Sequence, residues 1–389
     1  MRQSLFALAT VAFLLAACGG SPKTSTSGTQ STTVTAAVGS PVTASGKMRI
    51  ALLLPLSGQS APVGQSLQQA AEMALFDTGA KELALAAYDS GETADTAVEA
   101  YRKARIDGAA LVLGPLFGTS ATALAPLVGQ GGANVVSFSN DEQAAQRGVW
   151  IMGIAAPPQV RRVVDHAVDA GIKRFAAFAP QTSYGQQMIQ TMESQVTIRG
   201  GKVAAIELFD ANSADLNTPA RRLAEASRGE DKLAVLVPVA PPRLAAALAA
   251  LAAAGIDNKS VQLIGTGVWD VPNIGSEMML RGAWYAAPDP AKRADFERRF
   301  LSTYGRPPHR LATLAYDGVS LAGHLARLKQ GGDFSAEAIT NPNGWSGVDG
   351  IFRFLPNGRS ERALAVIAVQ AGPGTVVSPA PTSFTRPVN

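Results

Sequence analysis

The sequence predicts an α/β protein built as two doubly wound parallel-sheet lobes with a ligand cleft between them. Three observations carry that expectation. Short apolar runs alternate with amphipathic stretches of helical period over residues 47–141. The alternation starts afresh after Pro157 and Pro158. The globular part, residues 47–370, is too long for one ordinary core and suits two.

Residues 47–77 set the pattern. Residues 48–54 form a buried strand and 55–63 a turn of small and polar residues. A helix follows in which Leu67, Ala71, Ala74 and Leu75 recur at i, i+4, i+7 and i+8 and give one apolar face. Its N-terminus aims unsatisfied N–H groups and a positive dipole end at whatever lies above it. Ser57, Gln59, Ser60 and Gln65 are close enough in sequence to join them. The next strand, 83–88, ends in D-S-G and leads to a helix over 94–106. The run 109–113 ends in G-P-L-F-G-T-S (114–120) before a helix to about residue 128. The run 133–138 ends in Ser139, Asn140 and Asp141. Right-handed crossovers place all these turns at one sheet edge, where open α/β sheets bind ligands.

The second series opens with proline in the first turn of a helix whose Val160, Val163, Val164, Ala167 and Val168 share a face. Strands follow at 174–179, 202–209, 233–237 and 261–265. Tyr184 lies just after the first of them, and helices are expected at 218–226 and 242–254. A strand at 281–287 and P-D-P at 288–290 read as a return crossing to helices 291–304 and 310–328, which complete the first lobe. Residues 350–354 and 362–370 flank P-N-G and read as a hairpin set against the second lobe. The expected division is 47–155 with 286–335 for one lobe and 156–285 with 345–370 for the other. Residues 371–389, rich in proline, form a loose tail.

Residues 1–17 have the layout of a signal peptide: Arg2, then a run over 5–17 that is apolar but for Thr10, and too short to span a bilayer. L-A-A-C at 15–18 resembles the lipobox of bacterial lipoproteins, which implies lipidation at Cys18, the single cysteine of the 389 residues. Residues 18–46, rich in Ser, Thr and Gly, then form a disordered tether. The expected protein is exported and membrane-held through its N-terminal lipid on the periplasmic face of the envelope, without a disulfide. Gly19 in place of Asp resembles the pattern for an outer membrane where the host has one.

Composition argues against several functions. The net charge is +4, but the basic residues come as scattered pairs (Arg161 and Arg162, Arg221 and Arg222, Arg298 and Arg299) without interleaved aromatics, so no nucleic-acid partner is expected. No G-x-S-x-G, H-E-x-x-H, Walker loop or Cys/His metal spacing occurs, and Cys18 is taken by the anchor. G-T-G at 265–267 reaches Asp270 where a dinucleotide fingerprint needs glycine. His166, His309 and His324 fall in or beside helices and read as packing or surface residues. Carboxylate pairs formed in space stay open, with thirty acidic residues available. The expectation is a non-enzymatic protein with no cofactor and no metal.

Strand-end loops suited to polar binding supply the candidate site: Ser57, Gln59 and Ser60; Phe117, Thr119 and Ser120; Ser139, Asn140 and Asp141; Tyr184; Trp269 and Asp270. Hydroxyls and free N–H groups satisfy a carboxylate or amide with little steric demand. Tyr184 and Trp269 would supply an apolar wall, and Asp270 would hold an ammonium group.

I-A-L-L-L-P-L-S-G (50–58), G-Q (64–65), L-V-L-G-P-L-F-G-T-S (111–120) and Y-G (184–185) resemble the leucine-binding-protein family, of the type I periplasmic binding protein fold, over residues 47–370. The resemblance implies two lobes joined by three crossings that close on a small ligand, often an amino acid. It also implies that hydroxyls and N–H groups of the second and third first-lobe loops hold the ligand's carboxylate. The chain departs from the family at Gly118, where serine is common, and at Asp141, where a threonine often meets the carboxylate. Two facing anions would cost several kcal/mol in a dry cleft. Either Asp141 points away, or the ligand is not an ordinary α-amino acid held in the usual way. A-L-L-L-P-L-S-G, G-P-L-F and S-F-S-N-D (137–141) also resemble penicillin-binding-protein activators, whose helical-repeat domain has no counterpart here. The expected role is an envelope lipoprotein that binds a small polar, amino-acid-like ligand. Regulation of a peptidoglycan synthase stands first, with capture for an amino-acid ABC importer and its permease as the alternative.

Overall fold

The computed structural model describes residue 43 and residues 46–384. The expected signal peptide, Cys18 and nearly all of the tether lie outside the described residues. No helix among the described residues is long and apolar enough to cross a membrane.

The first lobe runs β1 (Met48–Leu54), α1 (Ala61–Asp77), β2 (Leu83–Asp89), α2 (Ala94–Ile106), β3 (Leu111–Leu113), α3 (Gly118–Gly129), β4 (Asn134–Ser137) and β5 (Val149–Ile151). Its five strands are all parallel, in the order β2-β1-β3-β4-β5. The second continues with α4 (Ala156–Asp169), β6 (Arg174–Pro180), α5 (Ser183–Ile198), β7 (Lys202–Phe209), α6 (Asn217–Ala226), β8 (Leu233–Leu236), α7 (Arg243–Ala253), β9 (Gln262–Gly265) and β10 (Trp284–Ala287). The chain returns through α8 (Pro290–Tyr304), α9 (Ala312–Arg327) and α10 (Ala336–Ile339) to β11 (Trp345–Gly347), β12 (Gly350–Phe354), β13 (Ser360–Arg362), β14 (Ala365–Ala368) and β15 (Thr375–Ser378). The second sheet has the order β15-β14-β10-β9-β8-β6-β7, with β14 and β15 antiparallel to their neighbours.

The parallel strands are apolar throughout because helices cover both faces. In the first lobe α1, α8 and α9 pack on one face with Leu52, Leu54, Phe296, Phe300 and Leu321; α2 and α3 cover the other with Tyr101 and Leu124. The turn after β3 needs Gly114, at φ +94°, because a Cβ there would strike the Leu53 carbonyl of β1.

Two expectations are corrected. The first hairpin strand, β12, joins the first lobe and not the second. Its alternate residues Phe352 and Phe354 are buried with Trp150 and Met152 in the first-lobe core. Burying two Phe side chains is worth about 1.5–3 kcal/mol each, enough to decide the placement. The Trp150 indole donates to Leu355 O at 3.1 Å, and Ile151 N donates to Gly358 O at 2.9 Å, which seats the turn on β5. The return leg splits, β13 staying with β12 while β14 crosses to pair with β10. The loose tail is also corrected in part: Thr375–Ser378 closes the second sheet as edge strand β15. There Arg162 donates to Ser378 Oγ at 2.6 Å and to Leu364 O at 2.8 Å. A β-prone T-V-V between prolines suits an edge, where missing N–H donors do least harm.

Candidate functional site

Three crossings join the lobes among the described residues, after β5, β10 and β13. Beside them lies a cavity of about 570 Å³, within the usual range for small-molecule sites. The first lobe lines it with Leu116 and Phe117 after β3, and with Phe138, Ser139 and Asn140 after β4. From the second lobe come Gln159 of α4, Tyr184 of α5, and Gly267 and Val268 after β9. Arg293 of α8, His309, Arg310, Leu311, Thr313 and Asp349 close one end.

The second-lobe wall is held from within. Gln159 accepts the Gly267 N–H at 2.5 Å and donates to Ala155 O at 3.0 Å, fixing the loop after β9 against α4. Tyr184 shares a hydrogen bond with Thr266 Oγ1 at 2.8 Å, and burial raises its pKa although that bond opposes the shift. Each of these side chains is pinned through its polar end, which leaves its apolar part to the cavity.

The closed end is ionic. Arg293 donates to Asp349 Oδ1 from Nε at 3.1 Å and from Nη2 at 2.6 Å, and Thr313 Oγ1 donates to Asp349 Oδ2 at 2.6 Å. Burial alone would lower the Arg293 pKa; the charge and hydrogen bonds of Asp349, with the charge of Asp270, outweigh it and raise the pKa. Asp270, carried by the second lobe, stands 3.4 Å from Arg293 Nη1 and 2.7 Å from Arg310 Nη2, and its carbonyl also accepts from Arg310. Asp349, Arg293, Asp270 and Arg310 thus form one chain of charges from the first lobe to the second and back, with the Thr313 hydroxyl bonded to its first member. His309 Nδ1 accepts the Leu311 N–H at 3.2 Å, and burial, aided by the charge of Arg310, lowers its pKa, so the ring is neutral at pH 7.

The twelve candidate residues divide. Phe117, Ser139, Asn140 and Tyr184 line the cavity. Ser57, Gln59 and Ser60 do not, because the protein's own carboxylates fill the first loop: Asp89 accepts from Leu56 N at 2.9 Å and Glu92 from Ser60 N at 2.6 Å. Ser60 N is one of the donors expected to meet a ligand. Ser120 is turned inward, donating to Thr93 O at 3.2 Å, and Thr119 is exposed. Asp141 is exposed too and caps a short turn, accepting from Gln143 N at 2.9 Å, so it does not face the cavity. Trp269 is not a cavity wall. It is buried in the second-lobe core, with its indole N–H on Val239 O at 3.1 Å. Asp270 holds arginines where an ammonium was expected.

Gln159, Arg293, His309, Arg310, Thr313 and Asp349 escaped a search confined to strand ends. They come from helix starts and a hairpin turn that tertiary packing brings to the cleft. The signal closest to them was His309 beside Arg310 at the start of an expected helix, read as packing or surface.

Residues 47–373 match the family model described as Periplasmic binding protein, and the chain belongs to that family. A crystal structure from Rhodospirillum rubrum, described as a branched-chain amino acid ABC transporter, superposes with a TM-score of 0.72 at 20% identity, over 85% of this chain and 100% of its own. The solute binding protein of an ABC transporter from Rhodopseudomonas palustris BisB5, in complex with 3,4-dihydroxybenzoic acid, gives 0.60 at 18% identity, over 86% and 96%. At such identities these likenesses establish the fold alone. An uncharacterized protein of Rickettsia prowazekii, RP748, is 23% identical over 177 residues, 46% of this chain; the chain spans about half, 47%, of that protein's length.

Proposed function

We propose that this periplasmic binding protein is a capture component of an ABC importer, taking one small organic ligand between its lobes and presenting it to a permease. The observation that carries the reading is the cavity itself: both lobes supply its walls, and Asp270 of one lobe is clasped by arginines carried on the other. Such a site is completed only when the lobes come together, which couples occupancy to a shape that a permease can read. The solved relatives named above are described as ABC-transporter proteins, which favours this over regulation of a peptidoglycan synthase. The resemblance to synthase activators rests on short sequence phrases, and no geometry of the described residues adds to it. Export and a lipid anchor at Cys18 belong to the same proposal, and metabolic labelling with a radioactive fatty acid, lost in Cys18→Ser, tests the anchor.

The purified protein should release or absorb heat with one small ligand, and its unfolding midpoint should rise. Ligand at a hundred times its Kd stabilises the folded state by about 2.7 kcal/mol. A calorimetric and thermal screen of amino acids, short peptides and small carboxylates that shows neither heat nor shift sinks the reading.

A further inference from the structure

We infer that the ligand is a small apolar carboxylate without an α-ammonium group, and that Arg310 selects it; the inference rests on the capture reading above.

The argument is a count of committed charges. Asp349 is the single carboxylate among the cavity-lining residues. Its side chain is 1% exposed, and both oxygens are taken, Oδ1 by Arg293 and Oδ2 by Thr313. An incoming ammonium would have to displace Arg293 from Oδ1 or Thr313 from Oδ2 to reach it. Asp270, behind the lining, is held by Arg310 and Arg293. Asp141 is turned to its own turn. Among the described residues no carboxylate at the cavity lacks a partner, so an entering ammonium would have to displace an arginine or Thr313 to pair with one.

Donors are in surplus. Arg310 is 38% exposed, and its Nε–H makes no hydrogen bond among the described residues. The Asn140 amide makes none either, although it lines the cavity. His309 accepts at Nδ1, so the neutral ring carries its proton on Nε2 as a further donor. Leu116, Phe117, Phe138 and Val268 make much of the remaining wall apolar. A planar guanidinium above an apolar chamber suits a carboxylate on a hydrocarbon or aromatic body. Asp270 then competes with that carboxylate for Arg310.

Isothermal titration calorimetry on the purified protein at pH 7.5 tests this with matched probes: benzoate, phenylalanine and benzylamine; 4-methylpentanoate, leucine and 3-methylbutylamine. The carboxylates should bind at least tenfold tighter than the amino acids, and the amines not at all. Amino acids binding more tightly than their deaminated partners would overturn the inference and leave the capture reading standing. Silence from all six overturns the inference, and the capture reading then stands or falls on the wider screen. Arg310→Met should weaken the bound carboxylate at least tenfold, whereas Asp270→Asn, which frees Arg310, should tighten it. Weakening by both variants would show a clasp with a structural role only and defeat the assignment. Should Arg310→Met not fold, the sign of the Asp270→Asn effect decides alone.

Discussion

Asp141 sits over Gly118: a Cβ added at residue 118 would come within 2.7 Å of Asp141 Oδ2 and 2.8 Å of its Cβ. The two positions read from the sequence as departures from the leucine-binding-protein pattern therefore share one space. The acid at 141 occupies the room that a side chain at 118 would take, and the missing side chain admits the acid.

Gly118→Ser alone should destabilise the protein by about 1–3 kcal/mol, the usual cost of overpacking. Adding Asp141→Gly should return part of that loss, because it removes both the carboxylate and the Cβ that a side chain at 118 would overlap. Urea denaturation of the two single variants and the double variant measures the coupling. Additive effects would show that the overlap is relieved by other means.

Arg293 and Arg310 both reach Asp270, yet they should differ in stability. Arg293→Met strands Asp349, whose side chain is 1% exposed, and should cost about 3–5 kcal/mol. Arg310, 38% exposed, holds a partner open to water, and Arg310→Met should cost under about 1 kcal/mol. Equal losses in chemical denaturation would contradict the ranking.

Trp269 should report on the core and not on the ligand. Its ring is fully buried against Gly265 and its N–H is spent on Val239. Trp269→Phe should cost about 1–3 kcal/mol through the stranded carbonyl, with any ligand affinity kept within about twofold. A larger fall in affinity would return this residue to the cleft.

Asp317 should make stability depend on pH. Burial pushes its carboxyl up to about 7; Arg362, 3.6 Å away, opposes the shift and Asp349 adds to it. With the folded value above the unfolded one, the folded protein holds the extra proton between pH 3.8 and about 7. Stability from this group is full below that window and is lost as pH rises through it. The urea midpoint should therefore fall less between pH 5 and pH 8 in Asp317→Asn than in the unaltered protein. Equal slopes would remove the claim.

Much of the fold was legible because it is written locally. The alternation of Met48–Leu54 with the amphipathic Ala61–Asp77, repeated along the chain, needs only period and propensity to be read. Strand β12 was legible as a strand but not as part of a lobe. Its F-R-F alternation says that one face is buried and says nothing about which core accepts it. The same limit applied to T-V-V at 375–377, where proline-rich flanks hid a short edge strand.

The cleft divides on the same principle. Phe117, Ser139, Asn140 and Tyr184 follow strand ends, and parallel topology alone brings such residues to one edge. Which of their neighbours turn inward was settled by contacts distant in sequence: Glu92 capping Ser60 N, Thr93 taking Ser120, and Val239 receiving the Trp269 indole. The sequence by itself determined the α/β class, the strand-end loops and the absence of a motif for catalysis. Only the tertiary structure decided that Arg293, Arg310 and Asp349 meet at the cavity, with Asp270 at 23 residues from Arg293 and 40 from Arg310, and Asp349 at 56 from Arg293. The reason is physical. Propensity and periodicity act within a few residues, whereas the pairing of buried charges depends on which surfaces lose their water together.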